Sequence, residues 1–519
     1  MSEISGTWEE QADVVVIGYG FAGAATAIAA HDEGADVLLL EKAPEEHKGG
    51  NSRVSANIVF WPNDVEKAKT YFRALTGPYT DNISDKMIEV WAEEMHANRA
   101  WLEGLGMQAM AIGGAEFPEF PGSDCVEMLV NIGQLPGSGG QEFTLRQTAS
   151  DLGRLLGGER LWKGVTEPAL DARAIRRMYG TAAVHLVESD GAVAGVLADR
   201  QGERIAIRAK RAVVLTCGGF ENNPTMVRTY VNALPCVYPT GTPYNTGDGI
   251  RMAQEVGADL WHMSNIAGPE LFFKAPEFPV ARWINLPHVD SYIFVAADGR
   301  RFIAEGDQCM GTDRHGKFNY HGTWMQQIAP MPVHLIFDES FRASGCIGDS
   351  FCCWDVVHGN QYNWSRDNLR EVEKGWIKRA SSIRELAGLV GLAPDVLEAT
   401  VTRYNALVAQ GEDADFGRNP EWIAAIETAP FYAMELTPSF VNTQGGPRRN
   451  ENAQVIGLDG RPIPRLYSAG ELGSIYAYNY NAGGNVGECF AFGRIAGRKA
   501  AREKSLEETE AVPSGSGVA

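Results

Sequence analysis

Residues 13–42 read DVVVIGYGFAGAATAIAAHDEGADVLLLEK. The run Val14, Val15, Val16, Ile17 has the unbroken apolar character of a parallel strand buried on both faces. A G-x-G-x-x-G turn follows at Gly18, Gly20 and Gly23, then a small-residue helix over 24–30 and a second strand over 37–40 that ends on Glu41. Gly18 permits the tight turn, Gly20 lets the backbone approach a pyrophosphate, and Gly23 lets helix and strand pack closely. The helix start offers N–H groups and the positive end of a dipole to phosphate. Glu41, about 20 residues further on, is placed to accept hydrogen bonds from ribose hydroxyls, which also disfavours a 2′-phosphate. Strand, turn, helix, strand and acid in register predict a dinucleotide-binding βαβ unit. Phe21, Ala22 and Lys42 join the glycines and Glu41 as cofactor-binding candidates.

The chain has 519 residues, room for about two or three domains. Its net charge of −20 argues against nucleic acid or an anionic membrane as the main partner. The first residues, MSEISGTWEEQ, are polar and acidic and lack the basic and apolar segments of a signal peptide. The longest apolar stretch is broken by glycines, so no membrane span is expected. The eight cysteines are scattered, Cys352 and Cys353 being adjacent, and none has the C-x-x-C or C-x-x-C-H spacing of a metal or haem site. Free thiols in a reducing cytoplasm and no metal are the expectation, so redox chemistry has to come from an organic cofactor.

Further along, short strands are expected over 183–186 and 194–197 around Asp190-Gly191. A buried strand over 212–216 ends in Cys217-Gly218-Gly219-Phe220, and Thr246-Gly247-Asp248-Gly249 opens a helix over 250–256. From about His262 aromatics, prolines and turns increase, with short strands at 292–296 and 333–337 and helices at 383–392 and 394–409. A last strand at 466–468 leads through glycines into a helix over 485–503. The expected fold class is α/β: a Rossmann-type nucleotide domain over 1–261, an inserted α+β capping (substrate) domain over 262–425, a return to the first domain over 426–505, and a disordered tail over 506–519.

One fingerprint is present, where an enzyme using both FAD and NAD(P)H through two such units would show two, so FAD is favoured. Gly49-Gly50-Asn51-Ser52, Thr216–Phe220, Thr246–Gly249, Tyr467-Ser468-Ala469-Gly470-Glu471, Gly483-Gly484-Asn485 and Phe492-Gly493-Arg494-Ile495-Ala496-Gly497 follow in order. In these motifs, from residue 13 to about 501, the chain resembles the fumarate reductase/succinate dehydrogenase flavoprotein superfamily, which includes 3-ketosteroid dehydrogenases and tricarballylate dehydrogenase-like proteins. The resemblance implies that Gly50, Asn51 and Ser52 sit by the flavin and pyrophosphate, with Gly218, Gly219 and Gly470 also at the cofactor. By the same resemblance Asp248 and Glu471 take FAD hydroxyls, and Gly484, Asn485 and Val486 bring amides and a helix start to the flavin edge that carries negative charge on reduction. Members with covalent FAD have a histidine in the loop matching Gly49–Ser52. This chain has Asn51 and Ser52 there, with His47 off that position, so FAD is expected to be non-covalent.

The departures from the family bear on the substrate. Where the dicarboxylate pattern has a histidine this chain has Ala477, and where it has an arginine it has Asn481. The histidine before Thr-x-Gly-Gly is absent from Val441-Asn442-Thr443-Gln444-Gly445-Gly446, and the position of the proton-donating arginine after Gly299–Glu305 is Cys309. A buried dianion without cationic partners is heavily penalised, so fumarate and succinate are not expected substrates. Tyr476, Tyr478, Asn479, Tyr480 and Asn481 stand there instead. The spacing of Tyr480 and Gly484 is similar to that of ketosteroid dehydrogenases, in which a tyrosine hydroxyl and a glycine amide hold the substrate ketone. The segment 305–321 supplies Arg314, His315, Tyr320 and His321 as acid/base candidates, with Arg314 and Tyr320 carried forward. Trp283, Tyr292, Phe294, Trp324 and Trp354 hint at a bulky apolar ligand. The expectation is an FAD-dependent dehydrogenase or reductase of a C–C bond next to a carbonyl, with a small-molecule substrate and an unidentified electron donor or acceptor. A flavin oxidase or hydroxylase, and a non-catalytic flavoprotein, remain as alternatives.

Overall fold

The computed structural model describes residues 8–133, 159–231, 238–268, 270–278, 280–284, 286, 289–305, 317–320, 323–326, 331–348, 354 and 362–506. Arg314, His315, His321, Cys309, Cys352, Cys353 and the expected tail from 507 onward lie outside the described residues. Tyr320 lies in a strand, Lys317–Tyr320, that pairs with Thr323–Gln326.

Backbone contacts divide the chain into two units, one comprising 1–231, 244–266 and 442–519, the other 232–243 and 267–441. The first is built on an eight-stranded sheet. Six of its strands run in the order Gln454–Ile456, Pro462–Ser468, Glu203–Leu215, β1 (Glu10–Ile17), β2 (Val37–Leu40), Arg176–Met178, and the other two, Thr181–Ser189 and Ala192–Arg200, branch from Glu203–Leu215. β1 is parallel to β2, with Val14 opposite Val37, and to Glu203–Leu215, with Val14 opposite Ala212. Val14, Val15 and Val16 are fully buried, as the unbroken apolar run requires.

The strand expected at 212–216 is far longer because it serves two neighbours. Its second half pairs with β1, while its first half pairs antiparallel with Ala192–Arg200. The polar alternation in ERIAIRAKR concealed that first half. Between β1 and β2 runs α1 (Phe21–Asp32), buried from Phe21 through Ala30. Its small residues are needed because another helix, Gly484–Ala501, presses on it: a Cβ on Gly493 would lie 2.8 Å from Ala22 O, and one on Gly497 2.3 Å from Thr26 O.

The second unit carries a five-stranded sheet of antiparallel pairs around Phe431–Ser439, flanked by Val333–Asp338 on one edge. The helices Ile383–Leu389 and Pro394–Gln410 pack on one face through Leu386, Leu397 and Val401. The other face buries Phe294, Phe337 and Tyr432. Phe431–Ser439 is the most heavily paired strand of this sheet, so the chain returns to the first unit at 442 and not at 426. Tyr292 and Phe294 are core residues here, 1% and 0% exposed, Trp354 is buried, and Trp283 packs on Phe272. The aromatic hint from the sequence is therefore mostly core packing. Among the described residues no helix is long and apolar enough to cross a membrane, and no cluster of His, Cys, Asp and Glu could hold a metal ion.

Candidate active site

The βαβ turn is held by contacts that admit no side chain. Gly18 has φ 104°, and a Cβ there would lie 2.4 Å from Thr216 O. One on Gly23 would lie 1.9 Å from Gly18 O. The short helix Gly50–Val54 is tied to this turn by Ser52 Oγ, which accepts a hydrogen bond from Phe21 N at 2.8 Å. A Cβ on Gly20 would meet the same Oγ at 3.0 Å. Trp162 packs on Tyr19 and Phe21, at ring distances of 4.9 and 5.8 Å, and its buried Nε1 lacks a partner.

Glu41 directly follows β2, and its carboxylate oxygens accept from Tyr19 N at 3.0 Å and Ala43 N at 2.8 Å. Burial raises its pKa. Each oxygen keeps lone-pair capacity for a ribose hydroxyl. Lys42 Nζ donates to Asp248 Oδ2 at 2.5 Å and to Thr246 Oγ1 at 2.8 Å, and Asp248 also binds Arg251. Lys42 and Asp248, two candidates read separately in the sequence, thus form one ion pair. His47 Nδ1 lies 2.8 Å from Tyr244 OH.

A second polar cluster joins distant parts of the chain. Asn51 Nδ2 donates to Glu221 Oε1 at 2.8 Å and to Glu471 Oε2 at 3.3 Å. Asn245 Nδ2 also donates to Glu221 Oε1, at 2.7 Å, and Thr443 Oγ1 lies 3.1 Å from Glu221 Oε2. Gly218 and Gly219 make room for this cluster: a Cβ on Gly218 would come within 2.7 Å of the Asn245 side chain, and one on Gly219 within 2.1 Å of Thr443 Oγ1. Gly470 likewise abuts Ala22, with a hypothetical Cβ 2.8 Å from the alanine Cβ. Burial raises the pKa of Glu221, and for Glu471 burial and then the Glu221 charge raise it well above the usual carboxylate range. Glu221 was not foreseen in the sequence, because no local pattern distinguishes it.

The third element is the start of the helix Gly484–Ala501. Buried Gln444 donates from Nε2 to Asn485 Oδ1 at 3.1 Å, and Asn265 Nδ2 donates to Gln444 Oε1 and, at 2.8 Å, to Tyr476 O. One turn later Glu488 is fully buried against Arg449, with Ser474 Oγ donating to it at 2.5 Å and Ile475 N at 2.8 Å. Beside Asn485 sits Tyr480, whose pKa is raised first by burial, an effect that the nearby Asn485 backbone N–H opposes. Its ring meets that of Tyr476 edge-on at 5.5 Å.

Two sequence candidates have other work here. The Gly484 N–H donates to Asn481 O at 2.9 Å, closing the turn into the helix, so it is not a carbonyl donor in this arrangement. Gly484 is required on steric grounds instead, since a Cβ would lie 2.6 Å from Tyr476 OH. Asn481 is fully buried, and its Oδ1 accepts from Tyr71 OH at 2.6 Å and Glu116 N at 3.0 Å. In the second unit Glu305 is bound by Arg301 and lies 3.7 Å from Arg418, while Arg301 also binds Asp413. These arginines are committed to a buried ionic cluster.

A helix start stripped of side chains, a buried acid at the end of the second strand and an orphaned indole N–H beside them fit a dinucleotide. A family model described as FAD binding domain matches residues 13–486. The chain belongs to the FAD binding domain family. It is 26% identical to a 3-oxosteroid 1-dehydrogenase of Mycobacterium tuberculosis, over 94% of this chain and 98% of that protein. It is 27% identical to an NADH:fumarate oxidoreductase of Klebsiella pneumoniae, over 94% of this chain but 48% of that protein. Among solved structures, a 3-ketosteroid-delta4-(5alpha)-dehydrogenase from Rhodococcus jostii RHA1 matches at TM-score 0.66 and 25% identity, covering 96% of this chain and 99% of that one. A 3-ketosteroid delta1-dehydrogenase from Sterolibacterium denitrificans has the same fold, at TM-score 0.75 and 22% identity, covering 95% and 99%. The cofactor is FAD, and the chain is an FAD-dependent oxidoreductase. The FAD binding domain signature was legible from the glycines. Trp162, Glu221, Gln444 and Asn265 were not, since they meet the site only through the tertiary fold.

Proposed function

We propose that this FAD-dependent oxidoreductase introduces or reduces a C–C double bond next to a carbonyl in a bulky, uncharged cyclic ketone of steroid-like size. The observation that carries this reading is Tyr480, a buried phenol five residues before Asn485 at a helix start, together with Ala477 and Asn481, uncharged residues where the dicarboxylate clamps would stand. When bound, FAD takes up or supplies the hydride at the β carbon. Tyr480 stays protonated at neutral pH, because burial holds its pKa above the ordinary tyrosine value. A protonated phenol is a hydrogen-bond donor suited to a ketone oxygen, where it would stabilise enolate character. A neutral donor suits a neutral substrate, whereas a dicarboxylate would enter without a counter-charge. Glu41, Ser52, Asn51, Glu471 and Asn485 would hold the cofactor, with the Lys42–Asp248 pair fixing the edge of its nucleotide end. The α-proton would pass to or from Arg314 or Tyr320. The relationship to 3-oxosteroid and 3-ketosteroid dehydrogenases supports the substrate class.

The test is anaerobic flavin spectroscopy against saturated and unsaturated cyclic ketones. Bleaching by a saturated 3-ketosteroid establishes dehydrogenation, and reoxidation of reduced flavin by an enone establishes the reverse. Rapid turnover of fumarate, with no response to any cyclic ketone, overturns the substrate class.

A further inference from the structure

A cavity of about 630 Å³ opens within the second unit, a size typical of small-ligand pockets. Its origin lies in the sheet register. On one edge, Phe431–Ser439 pairs first with Ile377–Ala380, from Phe431 to Met434, and then with Glu270–Phe272, from Thr437 to Ser439. Glu435 and Leu436 fall between these two short strands. The chain turns away on both sides of the gap, through Lys274–Pro276 and through Gly375 and Trp376, and these segments line the cavity. His334 is the register partner of Glu435 across the other edge, so their side chains share a face. The helix Ile383–Leu389 covers that face but stops at Leu389, which is 51% exposed at the rim.

The lining combines aromatic walls with basic groups. Tyr238, Phe273 and Trp376 supply the aromatic surface. Lys274 Nζ lies 5.4 Å from the Tyr238 ring centroid. It donates to Ala275 O at 2.7 Å and Phe278 O at 2.5 Å, and an ammonium has a third donor. Lys378 adds another ammonium, against the single carboxylate of Glu435. His334 is only 3% exposed, and its buried Nδ1 has no hydrogen-bond partner. An orphaned polar atom in a packed interior is costly and calls for an explanation. His334 thus brings a buried imidazole to the wall of the cavity.

We propose that this cavity binds a small organic monoanion with a flat apolar body, such as an aromatic carboxylate, its ring against Tyr238 and Trp376 and its carboxylate on Lys274 and His334. The proposal is independent of the flavin reaction, since none of these residues belongs to the site described above. It is tested by calorimetric titration of naphthoate, with naphthol as the uncharged counterpart, into the FAD-loaded full chain. The expected result is one naphthoate per chain, with naphthol binding more weakly. Lys274→Met should weaken naphthoate about tenfold, the loss expected for one charged hydrogen bond, and Lys274→Arg should restore it. Leu389→Asp, at the exposed rim, should weaken it through charge repulsion. Absence of binding, or binding unchanged in both Lys274→Met and Leu389→Asp, overturns the proposal. So does naphthoate binding that perturbs the flavin spectrum and is displaced by a ketone substrate, which would place it at the flavin.

Discussion

The first unit contains two helix starts built to opposite specifications. α1 begins bare: Gly18, Gly20 and Gly23 clear the space, and the nearest polar groups are the Thr216 and Ser52 hydroxyls and backbone carbonyls. The helix Gly484–Ala501 begins crowded, with Tyr476, Tyr480, Gln444 and Asn485 packed around its first turn and Arg449–Glu488 buried beneath it. A bare start suits a ligand that brings its own charge, as a pyrophosphate does. A crowded start suits a neutral ligand, for which the protein must supply both the donor and the dry surroundings. The first specification is enforced by sterics and the second by a hydrogen-bond network, so they should fail differently.

The largest effect is expected at the bare start. Gly23→Val drives a side chain into Gly18 O, 1.9 Å from the position of the new Cβ. It should cost about 3 kcal/mol or more and yield protein without flavin colour, checked by thermal melting and by the flavin-to-protein absorbance ratio. At the crowded start, Arg449→Met leaves Glu488 buried without its counter-ion, which should destabilise the fold by about 3–5 kcal/mol. The double variant Arg449→Met/Glu488→Met should recover much of that loss in urea unfolding, and a failure to recover would show that the pair does more than neutralise itself. Tyr480→Phe should leave folding and FAD binding intact while slowing anaerobic flavin reduction by about a hundredfold or more, as for removal of one oxyanion donor. Unchanged reduction would remove Tyr480 from the chemistry and leave the crowded start a purely structural device.

The smallest effects are in pH dependence, and their signs differ between a buried histidine and two buried carboxylates. Burial lowers the His262 pKa from 6.5 to about 4. The unfolded chain therefore takes up a proton that the folded one refuses, and this residue's contribution to stability is lost as pH falls from about 6.5 towards 4. Glu221 and Glu471 have raised pKa values, so their contribution is largest at low pH and is lost as pH rises through and above the usual carboxylate range. Urea midpoints measured against pH should flatten on the acid side in His262→Gln and at higher pH in Glu221→Gln.

The same contrast explains what could be read from the amino-acid sequence. β1, α1 and β2 were legible because a turn that admits no Cβ leaves glycines in fixed positions, and β2 has the bounds Val37–Leu40 that its apolar run indicated. The family motifs drew attention to Asn51, Glu471 and Asn485 for the same reason: each directly follows a glycine. Glu221 reaches Asn51 across 170 residues of chain, and Asn51 reaches Glu471 across 420. No periodicity links such residues, so their roles emerge only in the fold. The Gly484 amide was misread because spacing shows where an N–H lies and not whether the turn already uses it. The return from the inserted unit was placed at 426 because Phe431–Ser439 looks like any strand until its pairing is known.

The close glycine contact between α1 and the helix Gly484–Ala501 has a consequence for how this scaffold can change. Since Gly493 and Gly497 close-pack against Ala22 and Thr26, parting the two helices to accommodate a larger guest would open a void along the seam. New substrate preferences have to be written into residues 476–481 and their neighbours, whose side chains can be exchanged without moving either axis. Combinatorial libraries confined to that segment should therefore retain yellow, folded clones at far higher frequency than libraries that touch the shared seam.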